Sequence, residues 1–286
     1  QVLDYAVLII NALDGVQSHT ETIWKLLKHY NIPVLVFVNK MDVSYTQREA
    51  LMTDVKRLLD ERCVDFSLCD EQLQEQLAMC SDELLDTYME AGSIPKEQIA
   101  EAVSKRILFP CCFGSALKME GIQELLDILD CYTKPRLYPE EFGARIFKIS
   151  RDENGNRLTH MKITGGTLKV KTKLGEEEKV DQIRLYSGNR YQLCEEAASG
   201  RVCAVKGLHG FHAGDGLGFE QNKNEVQLSS FMNYRVLLPQ GCDAFVVRKQ
   251  LLQLAEEDPQ LRVSYDTHLK ELHVRLMGDI QTEVLK

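Results

Sequence analysis

Apolar and polar residues along this 286-residue chain follow different periods in different regions. "YAVLIINA" at 5–12 is apolar without alternation, which predicts a strand buried on both faces, as in a parallel sheet. Ile23, Leu26, Leu27 and Tyr30 then recur at helical spacing until Asn31 and Pro33 stop the pattern. Trp24 falls beside that stripe and is expected at the solvent edge of its helix. Val34 to Val38 reads as a second buried strand, followed by a helix from about Gln47 to Arg62. An acidic helical stretch runs from about Asp70 to Lys105, broken near Gly92–Pro95. "ILFPCCF" at 107–113 is a third strand, expected at a sheet edge because Pro110 has no ladder donor. "EGIQELLDILDCY" closes the region as an amphipathic helix. Strands alternating with helices imply right-handed parallel crossovers.

"TKPRLYPEEFG" at 133–143 reads as a linker, and beyond it the period falls from 3.6 to 2. In "LKVKTKL", Leu168, Val170, Thr172 and Leu174 take one face and Lys169, Lys171 and Lys173 the other. Several strands with Gly-rich turns, reaching about Glu220, predict a closed antiparallel barrel. The last part reads as strand "YRVLLP", helix "DAFVVRKQLLQLAEEDP" stopped by Asp258–Pro259, and strands "LRVSY" and "ELHVRLM" about a polar turn at 266–270. A further helix is expected from Gly278. That order lacks one strand of a split βαβ sandwich. The fold class expected is therefore multidomain α/β plus β. It comprises a partial parallel-sheet domain at 1–134, an antiparallel β-barrel at 135–225 and a truncated ferredoxin-like α+β domain at 226–286.

Composition narrows the function classes. Hydrophobic residues at 44% support a sizeable core, and a formal charge of −9 argues against attachment to nucleic acid by bulk electrostatics. Nine cysteines without a CxxC pair favour reduced thiols in a cytoplasmic protein, with Cys111 and Cys112 as small buried strand residues. No apolar run approaches the roughly 18 residues of a membrane helix, so no membrane partner is expected. The seven histidines are scattered, and none is assigned to a metal. The chain opens on Gln1 in front of what reads as an interior strand, which suggests a piece of a larger protein.

The candidate chemistry lies in "FVNKMD" at 37–42. Guanine offers N1–H and a 2-amino group side by side, and one carboxylate accepts both in a charge-assisted pair. Asp42 can supply it. Adenine lacks those donors and would strand a desolvated carboxylate, at a cost of about 1–3 kcal/mol or more. Lys40 can lay its methylene stem over the base, and Asn39 can tie the loop. Such a loop belongs at the carboxyl end of a parallel strand. "CCFGSALKMEGI" follows the third strand, so Ser115, Ala116 and Leu117 fall at the same end, where backbone N–H groups can reach guanine O6. A second such element makes an ordinary polar turn the poorer reading. No GxxxxGK[ST] and no DxxGH occurs, and "GDGLG" at 214–218 reads as a turn.

"NKMD" followed by "GSALKMEGI" resembles the translational GTPases. "LDGVQSHTE", "EEAASGRVCAVKGL" at 195–208 and "LLQLAEEDPQLRV" at 251–263 are similar to further blocks of that family in the family's order. The stretch "MGDIQTEVL", with Gln281, and "GARIFKI" at 143–149 look like the tetracycline-resistance ribosomal-protection branch. The resemblance implies GTP or GDP with Mg²⁺ in the parent, and the ribosome, both RNA and protein, as partner. It implies release of tetracycline from the ribosome. The alternatives are translocation of the elongation factor G type and, in another class, a non-enzymatic ribosome- or partner-binding module with a vestigial guanine site. It also implies Asn39, Lys40, Asp42, Ser115, Ala116 and Leu117 as the guanine pocket, with no catalytic residue and no tightly bound nucleotide in residues 1–286. In the family the strand at Tyr5–Ala12 lies beside a central strand absent here. Its edge is therefore expected to be naked and to support self-association. The lysine comb 169–173 reads as a solvated face.

Overall fold

A computed structural model describes residues 2–45, 47–175, 178–220, 232–238, 242–258, 261–266 and 271–276. The helix expected from Gly278, Gln281, Pro259, most of the turn at 266–270, and Glu176 and Glu177 of an acidic run lie outside the described residues. The chain divides into two compact units, one of residues 3–136 and one of residues 137–286 with residues 1–2.

The first unit is a four-stranded parallel sheet. Its strands are β1 (Ala6–Asn11), β2 (Val34–Asn39), β3 (Cys63–Asp65) and β4 (Phe109–Phe113), in the order β1-β2-β4-β3. Helices α1 (Ser18–His29) and α2 (Arg48–Leu58) follow β1 and β2. β3, three residues long, was not expected from the sequence. The acidic stretch is three helices, α3 (Asp70–Ala78), α4 (Asp82–Ala91) and α5 (Lys96–Ser104). Ser81 caps α4 by accepting from Leu84 N, and Gly92 ends it at φ 71°. α6 (Ile122–Tyr132) closes the unit.

Three expectations fail here for packing reasons. Pro110 is not at an edge, because β4 lies between β2 and β3. Phe109 N bonds Arg62 O on the β3 side, which turns residue 110 towards β2, and the β2 ladder starts only at Val36 opposite Cys111. No donor is asked of the proline. Trp24 is 4% exposed and meets Phe109 edge-on with centroids 4.8 Å apart, so the buried stripe of α1 is centred on Trp24, not beside it. β1 is not buried on both faces. Leu8 and Ile10 pack with Trp24 and Val36, whereas Ile9 is 63% and Val7 38% exposed. Val7 and Ile9 stand in register with Leu35 and Phe37, which α6 covers through Ile128.

Among the described residues, β1 has a hydrogen-bonded neighbour on one side only. Ala6 N and Ala12 N bond β2-side carbonyls, so the alternation of a parallel strand turns Val7 and Ile9 N–H and C=O groups outward. Antiparallel pairing of two copies with Val7 opposite Ile9 would satisfy those groups and join the two apolar stripes. We expect the chain to self-associate with rising concentration in sedimentation velocity, and Ile9→Lys to keep it monomeric. A monomer at all concentrations removes this expectation.

All nine cysteines are free thiols. Cys63, Cys111, Cys112 and Cys203 are buried, and burial pushes the Cys112 and Cys203 thiols up to about 12. Ellman's reagent is expected to titrate exposed Cys69, Cys131 and Cys242 promptly in the native protein, and the four buried thiols only after unfolding.

The second unit begins with β5 (Gly143–Arg151), β6 (Arg157–Gly165) and β7 (Thr167–Lys169). β8 (Gln182–Ser187), β9 (Arg190–Cys194), β10 (Glu196–Ala198), β11 (Val202–Lys206) and β12 (Gly216–Gly218) follow. Six of them form an antiparallel sheet, β12-β5-β6-β11-β8-β9, and β7 pairs with β10 apart from it. The two sheets share one core that includes Ile146, Met161, Leu168, Val205 and Leu217. Among the described residues the region expected to form a closed antiparallel barrel is thus two antiparallel sheets around one core. The strand expected at 168–174 is cut short at Lys169, because Lys171 turns left-handed at φ 71°, yet Leu168 is buried and Val170 and Leu174 pack on the core as the alternation predicts. β13 (Met232–Val236), α7 (Ala244–Glu257), β14 (Arg262–Asp266) and β15 (Glu271–Leu276) complete the unit, with sheet order β13-β15-β14.

Candidate functional site

β2 and β4 are parallel neighbours, with Val38 opposite Phe113, so the loops that leave them start side by side at their carboxyl ends. Gly114 N bonds Val38 O at 2.9 Å and Met41 N bonds Gly114 O at 3.1 Å, which extends the ladder into both loops. Asn39 then links them by its side chain. Its Oδ1 accepts from its neighbour Lys40 N at 2.8 Å and from Ala116 N, in the other loop, at 2.9 Å. Two converging N–H donors require the oxygen at that position, and neither bond uses the amide nitrogen. Lys40 takes the left-handed region at φ 66°, which bends the chain sharply after β2.

The second loop closes on itself. Ser115 and Glu120 exchange backbone hydrogen bonds at 3.0 Å in both directions, and Ser115 Oγ accepts from Lys118 N at 3.4 Å. Two glycines allow this. A Cβ on Gly114 would lie 2.2 Å from Glu120 O, and one on Gly121, at φ 74°, would lie 2.3 Å from Phe113 O. The loop feeds α6, whose amino end starts at Gly121.

Of the six residues singled out from the sequence, the structure brings Asn39, Lys40, Ser115 and Ala116 together through these bonds. The Asp42 side chain is 8% exposed and lies 3.9 Å from Lys118 Nζ, so it too faces the second loop. Ser115 is 1% exposed, so its side chain braces the loop, whereas Leu117 projects at 90% exposure. Sequence reasoning missed Lys118. It stands next to the quoted tripeptide, but only the folded loop brings its ammonium to Asp42. That contact is long, and Lys118 is 54% exposed, so it contributes little to stability.

A family profile described as "Elongation factor Tu GTP binding domain" matches residues 1–135, and one described as "Elongation factor G domain 2" matches residues 141–218. The chain belongs to the translational GTPases. Elongation factor G 2 of Syntrophus aciditrophicus (strain SB) is 27% identical, over 100% of this chain and 54% of that protein. Tetracycline resistance protein TetM of Ureaplasma urealyticum is 25% identical, over 99% of this chain and 48% of that protein. The chain thus spans about half the length of the curated relatives it matches. A crystal structure of a protein from Thermus thermophilus has the same fold, with a TM-score of 0.83 at 20% identity, covering 100% of this chain and 52% of that one. The multidomain α/β-plus-β architecture expected from the sequence agrees with that fold. Among the described residues no helix is long and apolar enough to cross a membrane, and no cluster of three or more His, Cys, Asp or Glu residues could hold a metal ion.

Proposed function

We propose that residues 39–42 and 115–118 are the base-reading part of a guanine-nucleotide site. One observation carries this reading: the Asn39 carbonyl ties the loop after β2 to the loop after β4. Asp42, a nearly buried carboxylate 3.9 Å from Lys118 Nζ, belongs to the first of these loops and faces the second. Asp42 accepts from guanine N1–H and the 2-amino group, the Leu117 amide donates to O6 while those of Ser115, Ala116 and Lys118 brace the loops, and the Lys40 stem covers the ring. In the whole protein the nucleotide is GTP or GDP with Mg²⁺, and the remaining grip comes from its phosphates.

Residues 1–286 contain no GxxxxGK[ST] and no DxxGH, so this chain is expected to turn over no GTP and to hold GDP more weakly than micromolar. Micromolar affinity by isothermal titration contradicts that expectation. Weak base reading is checked by amide NMR with GMP and AMP at millimolar concentration. GMP is expected to shift the 39–42 and 115–118 resonances and AMP to leave them in place. Equal shifts with both nucleotides remove the guanine reading.

The protein is proposed to act in the cytoplasm on the ribosome, with residues 1–134 in the GTP-binding domain, 135–225 in the barrel and 226–286 in a ferredoxin-like domain. Within that class we favour protection of ribosomes against tetracycline. "GARIFKI" at 143–149 and Gln281 support it, as does the likeness to TetM over 99% of the chain. Translocation of the elongation factor G type is the second reading, supported by the likeness to elongation factor G 2 over the whole chain. Expressed from its complete gene in tetracycline-sensitive cells, a protection protein raises the drug concentration that stops growth. An unchanged concentration, with rescue of cells depleted of elongation factor G, decides for translocation.

A further inference from the structure

The hairpin that joins β5 to β6 sets two arginines side by side. Arg151, the last residue of β5, stands directly opposite Arg157, the first of β6. Ile149, two positions before Arg151 and so on the same face of its strand, packs in the core. The pair therefore ends the inner face of the sheet. Like charges directly opposite repel, and Arg157 is a buried charge, its side chain 5% exposed. Asp152, the next carboxylate along the chain, is engaged elsewhere, by Arg184 NH2 at 3.1 Å and Asn156 N at 2.9 Å. The compensating group comes from α7. Glu256 Oε2 accepts from Arg151 NH2 at 3.0 Å and lies 3.5 Å from Arg157 Nε. Glu257 approaches Arg151 Nε only to 3.8 Å.

One carboxylate oxygen serves both guanidiniums incompletely. Among the described residues the Nε–H groups of Arg151 and Arg157 are buried and make no hydrogen bond. Arg157 cannot turn to improve this. Its NH1 donates to Leu208 O at 2.6 Å and Thr159 Oγ1 at 3.2 Å, and its NH2 to Phe211 O. The guanidinium is thereby fixed within its own sheet and the loop after β11, so in any separation it is Glu256 that leaves. A cleft of about 410 Å³ opens beside the pair, with Glu256, Asp181, Lys206 and His209 in its walls. Leaving His209 aside, three cations, Arg151, Arg157 and Lys206, face two carboxylates while Glu256 is in place, and one when it is turned out. That balance suits a dianion. Two guanidinium forks also suit a tetrahedral oxyanion, which offers more acceptor oxygens than a carboxylate.

We propose that Arg151 and Arg157 form an oxyanion site in which Glu256 is an internal ligand, and that a free tetrahedral dianion such as inorganic phosphate takes its place and releases the last turn of α7 from the hairpin. The tethered carboxylate competes at a roughly millimolar effective concentration, so removing it should tighten anion binding. The full chain and its Glu256→Gln variant are titrated with inorganic phosphate above its second pKa, with sulfate, and with dimethyl phosphate, a monoanionic phosphodiester, at constant ionic strength. Amide NMR shifts read binding, and hydrogen exchange of residues 253–257 reads release. Glu256→Gln is expected to bind phosphate and sulfate about tenfold more tightly than wild type, and dimethyl phosphate not to bind. Phosphate should speed exchange at 253–257 in the wild type, whereas in Glu256→Gln exchange is already fast without it. Adding Arg151→Gln to Glu256→Gln should abolish phosphate binding. The proposal is overturned if Glu256→Gln binds phosphate no more tightly than wild type, if the diester binds equally well, if binding survives Arg151→Gln, or if wild-type exchange at 253–257 ignores phosphate. Should Glu256→Gln not fold, the wild-type exchange decides alone. The site stands apart from the guanine reading, because Asp42→Ala is expected to leave these readouts unchanged.

Discussion

Replacing Phe109 by alanine is expected to cost the first unit about 3–5 kcal/mol, a large part of the stability of a domain of this size. Phe109 is 1% exposed at the centre of the sheet. Its ring meets Trp24 edge-on, Arg106 sits 5.0 Å from its centroid and Arg62 5.5 Å. The alanine leaves a cavity and removes a ring face from Arg106, a cation that is only 7% exposed. Arg106 is a poor group to strand there. Burial already lowers its pKa, and a hydrogen bond to Ile32 O anchors it. Trp24 is the chain's only tryptophan and lies in the same cluster, so its fluorescence reports on this unit. A urea titration followed at Trp24 should show a much lower midpoint for Phe109→Ala and a smaller fall for Phe109→Leu. A loss below about 1 kcal/mol, the range of ordinary surface changes, means that the ring is not the keystone described.

Asp42→Ala is expected to abolish the preference for GMP over AMP while leaving the fold intact. The carboxylate accepts two donors that only guanine offers side by side, and removing it takes away about 1–3 kcal/mol or more, a factor of about five to 150 or above. Asp42→Asn should lose nearly as much, because its amide presents one acceptor and one donor where two acceptors are needed. Stability should scarcely move, since the only ion pair that Asp42 makes among the described residues is the 3.9 Å contact with exposed Lys118. GMP titrations by NMR, paired with urea curves on the same samples, separate the two effects. Retained GMP selectivity in Asp42→Ala transfers base reading to another group.

Particular elements explain why some of this was legible in the sequence and some was not. The apolar run Val34–Val38 announces a strand buried throughout, and all five residues are buried. "NKMD" and "GSALKMEG" could be set at one sheet end because each directly follows a strand. The bond from Asn39 to Ala116 could not be read, since it joins residues 77 positions apart. Trp24 and Lys118 were misjudged or missed for the same reason: their partners, Phe109 and Asp42, come from other parts of the chain. β1 and β2 look alike as apolar runs, yet β1 leaves Val7 and Ile9 open because α6 covers only its neighbours.

Local periodicity and turn residues thus determined the strand and helix types, the change from parallel to antiparallel architecture, and the two loops of the candidate site. Those properties depend on neighbours within a few positions, where side-chain size and backbone preference act directly. Only the tertiary structure decided the strand order that sets Pro110 inside the sheet, the face on which Trp24 packs, and the bond from Asn39 to Ala116 that ties the two loops of the site. Each depends on which distant segments come to lie side by side, and long-range packing makes that choice.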